Sequence, residues 1–239
     1  MIFQAMQILM QLMGRAPRPT PKMLPAEECL EGSTSPISDA PALNAVHFTL
    51  KTPLYGPFEA PLETVLLGMG CFWCSENLFD GVSGIYSTQV GYAGGVTQNP
   101  SYRQVSSGRT NHNEVVRVVY DPSKLEGLTH SGFGEILRIF WENHDPTTPM
   151  QQGNDQGTQY RSGLYYTSEW QRRMALKTKE AYAAALKEAG HEAEIATEIL
   201  PAPEFFMGED AHQQYDVKPG TSGYCGLAPI PDVMLPPLE

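Results

Sequence analysis

The chain has 239 residues and a formal net charge of −11, from 16 Lys and Arg against 27 Asp and Glu. That balance excludes nucleic acid and anionic membranes as partners, since both are gripped through basic patches, and no apolar run reaches the ~18 residues of a membrane span. The length suits one large domain that buries its own core, and four cysteines are too few for a disulfide framework, so they read as thiols of an intracellular, cytoplasmic protein.

Residues 1–60 are rich in Pro, Ser and Ala, as in "RAPRPTPKMLP" and "STSPISDAPA". They read as an irregular extension lying over a domain, with one short helix expected within residues 1–12. No basic segment precedes the first apolar residues and no A-x-A-like site follows them, so a secretory signal is not expected. The compact domain is expected over residues 61–207. "TVLLGMG" has the length of a strand, and "CFWCSENLFDGV" follows with helical spacing of Phe72, Leu78 and Phe79. Cys71 then stands at a strand-to-helix junction, where unpaired backbone N–H groups favour a thiolate.

"GIYSTQVGYAGG" reads as a strand closed by glycines, and "EVVRVVYDP" as a second one that stops at a turn signal. "FGEILRIFWENHD" sets Phe133, Ile136, Leu137, Phe140 and Trp141 on one helical face. "RSGLYYT" is another strand. "SEWQRRMALKTKEAYAAALKEAG" is a helix opened by a capping box of Ser168 and Gln171 and ended by Gly190. "AEIATEILPAPEFF" supplies one further strand. Alternating strands and helices with short connections imply helices packed on one sheet. Residues 208–239 form a Gly- and Pro-rich tail that carries Cys225 where it is free to travel.

The pair Cys71 and Cys74 in "GCFWCSE" admits three readings. A structural zinc site needs four ligands, but the other cysteines are Cys29 and Cys225, and His112, His144 and His212 lack ligand spacing. A thiol–disulfide exchanger is permitted by C-x-x-C alone, although Phe72 and Trp73 are bulky for that task. Two buried apolar thiols are the plain packing alternative.

"GCFWCSE" resembles the signature of the peptide methionine sulfoxide reductase A family, G-C-F-W, two variable residues and Glu. "GYAGG", "NPSYRQVSSG", "HNEVVRVVYDP", "FWENHDPT", "QGNDQGTQYRSG", "EDAHQQY" and "GYCG" resemble family stretches in the same order, across most of the chain. The resemblance implies thiol-dependent reduction of the S epimer of methionine sulfoxide, in proteins and as the free amino acid, as protein repair under oxidative stress and with no metal or organic cofactor. It places the attacking thiolate on Cys71 and the substrate's S-methyl group against Phe72 and Trp73. Glu114 takes the role of the acid that protonates the leaving oxygen, assisted by the hydroxyls of Tyr102 and Tyr160. Asp155 takes that of a group orienting the substrate. Attack leaves a sulfenic acid, resolved by Cys225 of "GYCG"; Cys74, where many members have Gly, is either a spectator or an alternative resolving cysteine. Where some members carry a further tail cysteine this chain has Met234. A thioredoxin-like reductant restores the thiols, and the partners are proteins or peptides with oxidised methionine.

Glu76 reads as a helix-surface or capping group, and His112, His144, His212 and Tyr215 as structural. The expected fold class is α+β, a two-layer sandwich with a ferredoxin-like core, in a monomer. The rival functions are a general thiol–disulfide oxidoreductase using Cys71 and Cys74, and a non-enzymatic metal- or partner-binding module.

Overall fold

A computed structural model describes residues 21–125, 127, 130, 132–221, 223 and 225–237; the helix expected within residues 1–12 lies outside them. Its elements in chain order are β1 (Glu63–Gly68), α1 (Phe72–Asn77), β2 (Ile85–Ala93), α2 (Tyr102–Ser106), β3 (Asn113–Tyr120), α3 (Phe133–Glu142), β4 (Gln151–Gln152), β5 (Asp155–Gln156), β6 (Gly163–Tyr166), α4 (Glu169–Glu188), β7 (Glu198–Pro201) and β8 (Phe205–Met207). The main sheet runs β7-β6-β1-β3-β2-β8, and β4 and β5 form a separate two-stranded ribbon. Only β6 and β7 run parallel; the other pairings in the main sheet are antiparallel.

Alternation along the strands divides the apolar residues between two faces. Val65, Leu67, Val116, Val118, Tyr120, Val90 and Leu164 share one core with Phe79 after α1, with Phe133, Ile136, Leu137, Phe140 and Trp141 of α3, and with Ala175, Tyr182 and Leu186 of α4. Each of these large side chains contributes about 1.5–3 kcal/mol on leaving water. The opposite face carries a smaller cluster of Leu66, Ala93, Val115 and Tyr165. There Arg117 lies over the rings of Phe205 (4.4 Å) and Phe58 (5.4 Å) and donates to the carbonyl of Leu54, so residues 54–58 cover that face. Burial lowers the Arg117 pKa to about 10, and the rings and carbonyl compensate the charge.

The sequence "AEIATEILPAPEFF" forms two strands rather than one. β7 closes one edge of the sheet, and Pro201, which cannot donate to a ladder, ends it. The chain then crosses the smaller cluster, where Ala202 and Phe205 pack, before β8 pairs with β2 at the other edge. The capping box expected at Ser168 is only half built. Ser168 accepts the Gln171 N–H, but Gln171 Oε1 accepts from the N–H of Thr167, because its Nε2 is drawn to Tyr120 and the Thr64 carbonyl. The reciprocal box is found instead at Ser101 and Gln104, which opens α2.

The tail is held at several points. Gln213 exchanges two side-chain hydrogen bonds of 2.9 Å with the backbone of Val90, continuing the ladder beyond β8. Ala228 donates to Gln152, Leu235 donates to Glu142, and Val233 and Leu235 are buried in the main core. A Gly- and Pro-rich composition removes periodicity, but isolated apolar residues still anchor a segment that needs no regular structure.

Trp141 ties the helix layer together: it is fully buried, stacks on Tyr182 and donates its indole N–H to Thr178 at 2.9 Å. Trp141→Ala is expected to cost about 3–5 kcal/mol of stability by cavity formation, and Trp141→Phe less, read as the midpoint and slope of urea unfolding.

Candidate active site

β1 delivers the chain to the site. Gly68 is required because a Cβ there would stand 2.1 Å from the Asn113 amide, and Gly70, at φ +101°, passes against Gln152. Cys71 follows as the N-cap of α1 and is 7% exposed. The next N–H, that of Phe72, donates to Glu114 Oε2 at 3.2 Å, joining α1 to the first turn of side chains on β3. Glu114 is 2% exposed, and its Oε1 has no hydrogen-bond partner among the described residues. Burial, reinforced by the charge of Asp155, pushes Glu114 up to about 8 against the opposing pull of the Phe72 N–H. At neutral pH it is therefore a protonated carboxyl, able to donate.

Aromatic rings enclose this end of α1. Phe72 and Trp73 both stack with Tyr102 at 6.2 Å, Tyr215 lies flat on Trp73 at 4.1 Å, and His212 sits 4.4 Å from Tyr102. The Trp73 indole donates to His212 Nδ1 at 3.2 Å, which makes that nitrogen an acceptor. Burial raises the pKa of Tyr102 and of Tyr160, with Glu114 as the next cause in each, so both phenols keep their protons. Asp155, on β5, adds to the upward shift of Glu114, Tyr102 and Tyr160 alike, which places it in the same cluster.

Three of the four cysteines converge. The buried Cys74 thiol hydrogen-bonds with both Cys71 and Cys225 and accepts from the backbone N–H of Gly226. Its bond to Cys71, then burial, holds it well above the ordinary thiol range. Burial, then the bond to Cys74, pushes Cys225 up to about 11. The exposed Cys225 is kept there by the ribbon: a Cβ on Gly153, at φ +55°, would meet the Gly226 carbonyl at 2.5 Å, and Gln152 accepts the Ala228 N–H.

All nine residues singled out in the sequence thus fall at one end of the sheet, around α1. Glu76 does not behave as a helix-surface group. It is 4% exposed and accepts from Thr88 Oγ1 (2.8 Å), Gln214 Nε2 (2.9 Å) and the Gln214 N–H (2.7 Å). It points inward because α1 is so short that Glu76 lies over the sheet, and burial pushes it up to about 7. Glu209 carried no expectation. It is buried and accepts from Tyr92 OH and from the Tyr102 N–H, both at 2.6 Å, bracing α2. The spacing of Glu209, His212 and Tyr215, an acid and two rings inside a Gly- and Pro-rich tail, is the signal that marks this segment as part of the wall. His112 and His144 instead bond the backbone carbonyls of Thr97 and Phe140. Among the described residues no three His, Cys, Asp or Glu side chains are grouped to hold a metal ion.

Comparison with known proteins converges on one family. The model of the family "Peptide methionine sulfoxide reductase" matches residues 63–233. The chain is 49% identical over 207 residues to peptide methionine sulfoxide reductase MsrA 1 of Synechocystis, covering 86% of this chain and 87% of that one. It is 48% identical over 216 residues to the MsrA of Rhodospirillum centenum, covering 90% and 93%. Among solved structures, methionine sulfoxide reductase A of Corynebacterium diphtheriae superposes with a TM-score of 0.72 at 38% identity, covering 87% of this chain and all of that one. Reduced Mxr1 of Saccharomyces cerevisiae does so with 0.60 at 34%, covering 76% and 95%.

The raised pKa of Glu114 has a thermodynamic consequence. A carboxyl shifted upward by folding contributes stability that is complete below its unfolded pKa and is lost as pH rises through the folded value, here about 8. Glu114→Gln removes that titration, while Glu76 is common to both proteins. The variant should therefore gain melting temperature relative to wild type between about pH 5.5 and about pH 9. A constant difference by scanning fluorimetry across that range would show that Glu114 is not held neutral.

Proposed function

The chain belongs to the peptide methionine sulfoxide reductase family, and on that premise we propose how its residues reduce methionine sulfoxide to methionine. The reaction draws its electrons from thiols and serves protein repair. The observation that carries the residue assignment is the neutral, buried Glu114, its Oε1 unpartnered and its Oε2 tied to the residue next to Cys71.

The Cys71 thiolate attacks the sulfoxide sulfur while the oxygen takes the Glu114 proton. The S–O bond breaks, hydroxyl passes to Cys71, and the products are the thioether and a Cys71 sulfenic acid. A poor leaving oxygen requires a donor placed before attack, and a positioned acid contributes about 10²–10⁴-fold. The Tyr102 and Tyr160 hydroxyls, both protonated, hydrogen-bond the same oxygen as its charge grows. Phe72 and Trp73 form the apolar slot for the S-methyl group, with sulfur–aromatic contact added to simple burial. Asp155 orients the peptide portion of the substrate. Selection of the S epimer follows from fixing the methyl, the oxygen and the line of attack at once.

The sulfenic acid is cleared by the converging thiols. Cys74 sits between Cys71 and Cys225, so the first bond to form is Cys71–Cys74, with loss of water. Cys225 then attacks Cys74, releases the Cys71 thiolate and leaves a Cys74–Cys225 disulfide beside the surface. A thioredoxin-like dithiol reduces that bond. This order makes Cys225 the last protein thiol oxidised and Cys74 an intermediate carrier. The substrates are oxidised proteins and peptides, and free methionine sulfoxide. The core order of strand, helix, two strands, helix and strand, with the fourth strand beside the first, supports a ferredoxin-like reading of β1–β6. We take residues 1–60 as an extension, 61–207 as the catalytic domain and 208–239 as the tail carrying Cys225, in a cytoplasmic monomer. Among the described residues no helix is long and apolar enough to cross a membrane.

Cys71→Ser should abolish dithiothreitol-driven reduction of a methionine sulfoxide peptide, whereas Glu114→Gln should keep its fold and lose about 10²–10⁴-fold in the single-turnover rate. A general thiol–disulfide exchanger would not reduce this substrate and would have no need of Glu114, and near wild-type turnover of Cys71→Ser would remove the reading. Cys225→Ser should still reduce one equivalent of substrate and stop as a Cys71–Cys74 disulfide, visible by peptide mapping, with thioredoxin-linked cycling lost. Full cycling in that variant would instead make Cys74 sufficient for resolution.

A further inference from the structure

Beneath the aromatic wall lies a buried polar chain that the reaction itself does not use. It starts in the segment before β1, outside the family match at residues 63–233. His47 is 2% exposed, and its Nδ1 accepts the backbone N–H groups of Thr49 and Leu50, so the ring proton is on Nε2. Nε2 donates to Thr88 Oγ1 at 2.8 Å, and that hydroxyl passes its own proton to Glu76 Oε1 at 2.8 Å. Glu76 in turn receives the backbone and side-chain N–H groups of Gln214. A second strand of the same chain closes the loop, since Gln214 Oε1 accepts the N–H of Phe48 at 3.1 Å.

Gln214 is where this chain meets the site. Its backbone is left-handed, at φ 46° and ψ 45°, an uncommon conformation for a residue with a Cβ that surrounding bonds must hold in place. The residue after it is Tyr215, whose ring lies 4.1 Å over Trp73. Two residues before it is His212, which accepts the Trp73 indole N–H. Removing any member of the chain leaves a buried donor or acceptor without a partner and frees the turn that carries Tyr215.

The geometry points to a positioning strut: His47, Thr88 and Glu76 set Gln214, and through it the Tyr215 and Trp73 wall that receives the methionine side chain. The segment before β1 is thereby part of the substrate site. This rests on the assignment of Phe72 and Trp73 to substrate binding. These residues touch no reacting atom, so they govern how well substrate is held rather than the chemistry at Cys71.

The test compares His47→Ala, His47→Gln, Thr88→Val and the His47→Ala/Thr88→Val double variant in the full-length enzyme. A methionine sulfoxide peptide is the substrate and dithiothreitol the reductant. Displacing a positioned wall should raise KM about tenfold in His47→Ala and in Thr88→Val, with kcat held within about twofold. The double variant should be no worse than either single one, because each breaks the same chain. His47→Gln, which keeps an amide N–H near the position of Nε2, should recover most of the loss. Trp141→Phe, a destabilising core change between α3 and α4 that loses the bond to Thr178, serves as the control for general destabilisation. Unchanged KM in folded Thr88→Val, or an equal rise in Trp141→Phe, would overturn the strut. Wild-type and Cys71→Ser assays run alongside report on the enzymatic reading separately, so loss of one does not imply loss of the other.

Discussion

A single hydrogen bond, from the Phe72 N–H to Glu114, sets the terms for the rest of the site. It crosses from the first turn of α1 to the start of β3, and it fixes a carboxyl inside an apolar wall without giving it the full solvation an anion needs. One oxygen is satisfied and the other is left buried and open. A carboxyl in that position keeps its proton through neutral pH, which is the state a proton donor requires. The core beneath makes the arrangement possible. β1 and β3 are neighbours in register, and the short link through Gly68 and Gly70 brings Cys71 to the edge of the same buried region.

The layers around this bond act in the same direction. Strand pairing supplies rigidity, while segments with little regular structure supply the walls. The tail contributes His212, Tyr215 and Cys225, and the segment before β1 contributes His47 and Phe48. The tail is held by side chain-to-backbone bonds, Gln213 to Val90, Gln152 to Ala228 and Glu76 to Gln214, and the segment before β1 by a small bridge of its own, from the His47 N–H to the Thr52 carbonyl and the Leu54 N–H to the Ala45 carbonyl. Such anchors are specific and local, and they allow Cys225 to be both exposed and in contact with a buried thiol. In the proposed order the exposed thiol is the one a partner protein reduces, and the buried one shields the oxidised intermediate from other reactants. Cys74 connects the two environments.

Several features of this protein were determined by the sequence alone. Alternation and helical period located β1, β3, α3 and α4, because each buries a continuous apolar face and so leaves a period in the residues. The collinear motifs picked out Cys71, Glu114, Tyr102 and Tyr160, which the fold brings to one end of the sheet, because each stands in a short run that can be read without the fold. Other features were decided only by tertiary structure. The run "AEIATEILPAPEFF" has the composition of a single strand, and only the two edges of the sheet, with the crossing over Leu66 and Val115, divide it into β7 and β8. Glu76 reads as a surface acid by type, and only its place above the sheet turns it inward to Thr88 and Gln214. The position of Cys74 between two thiols, and that of His47 beneath the aromatic wall, join residues far apart in the chain. No local pattern records such contacts, because hydrogen bonds between distant segments depend on where the folded backbone brings them and not on the residues beside them.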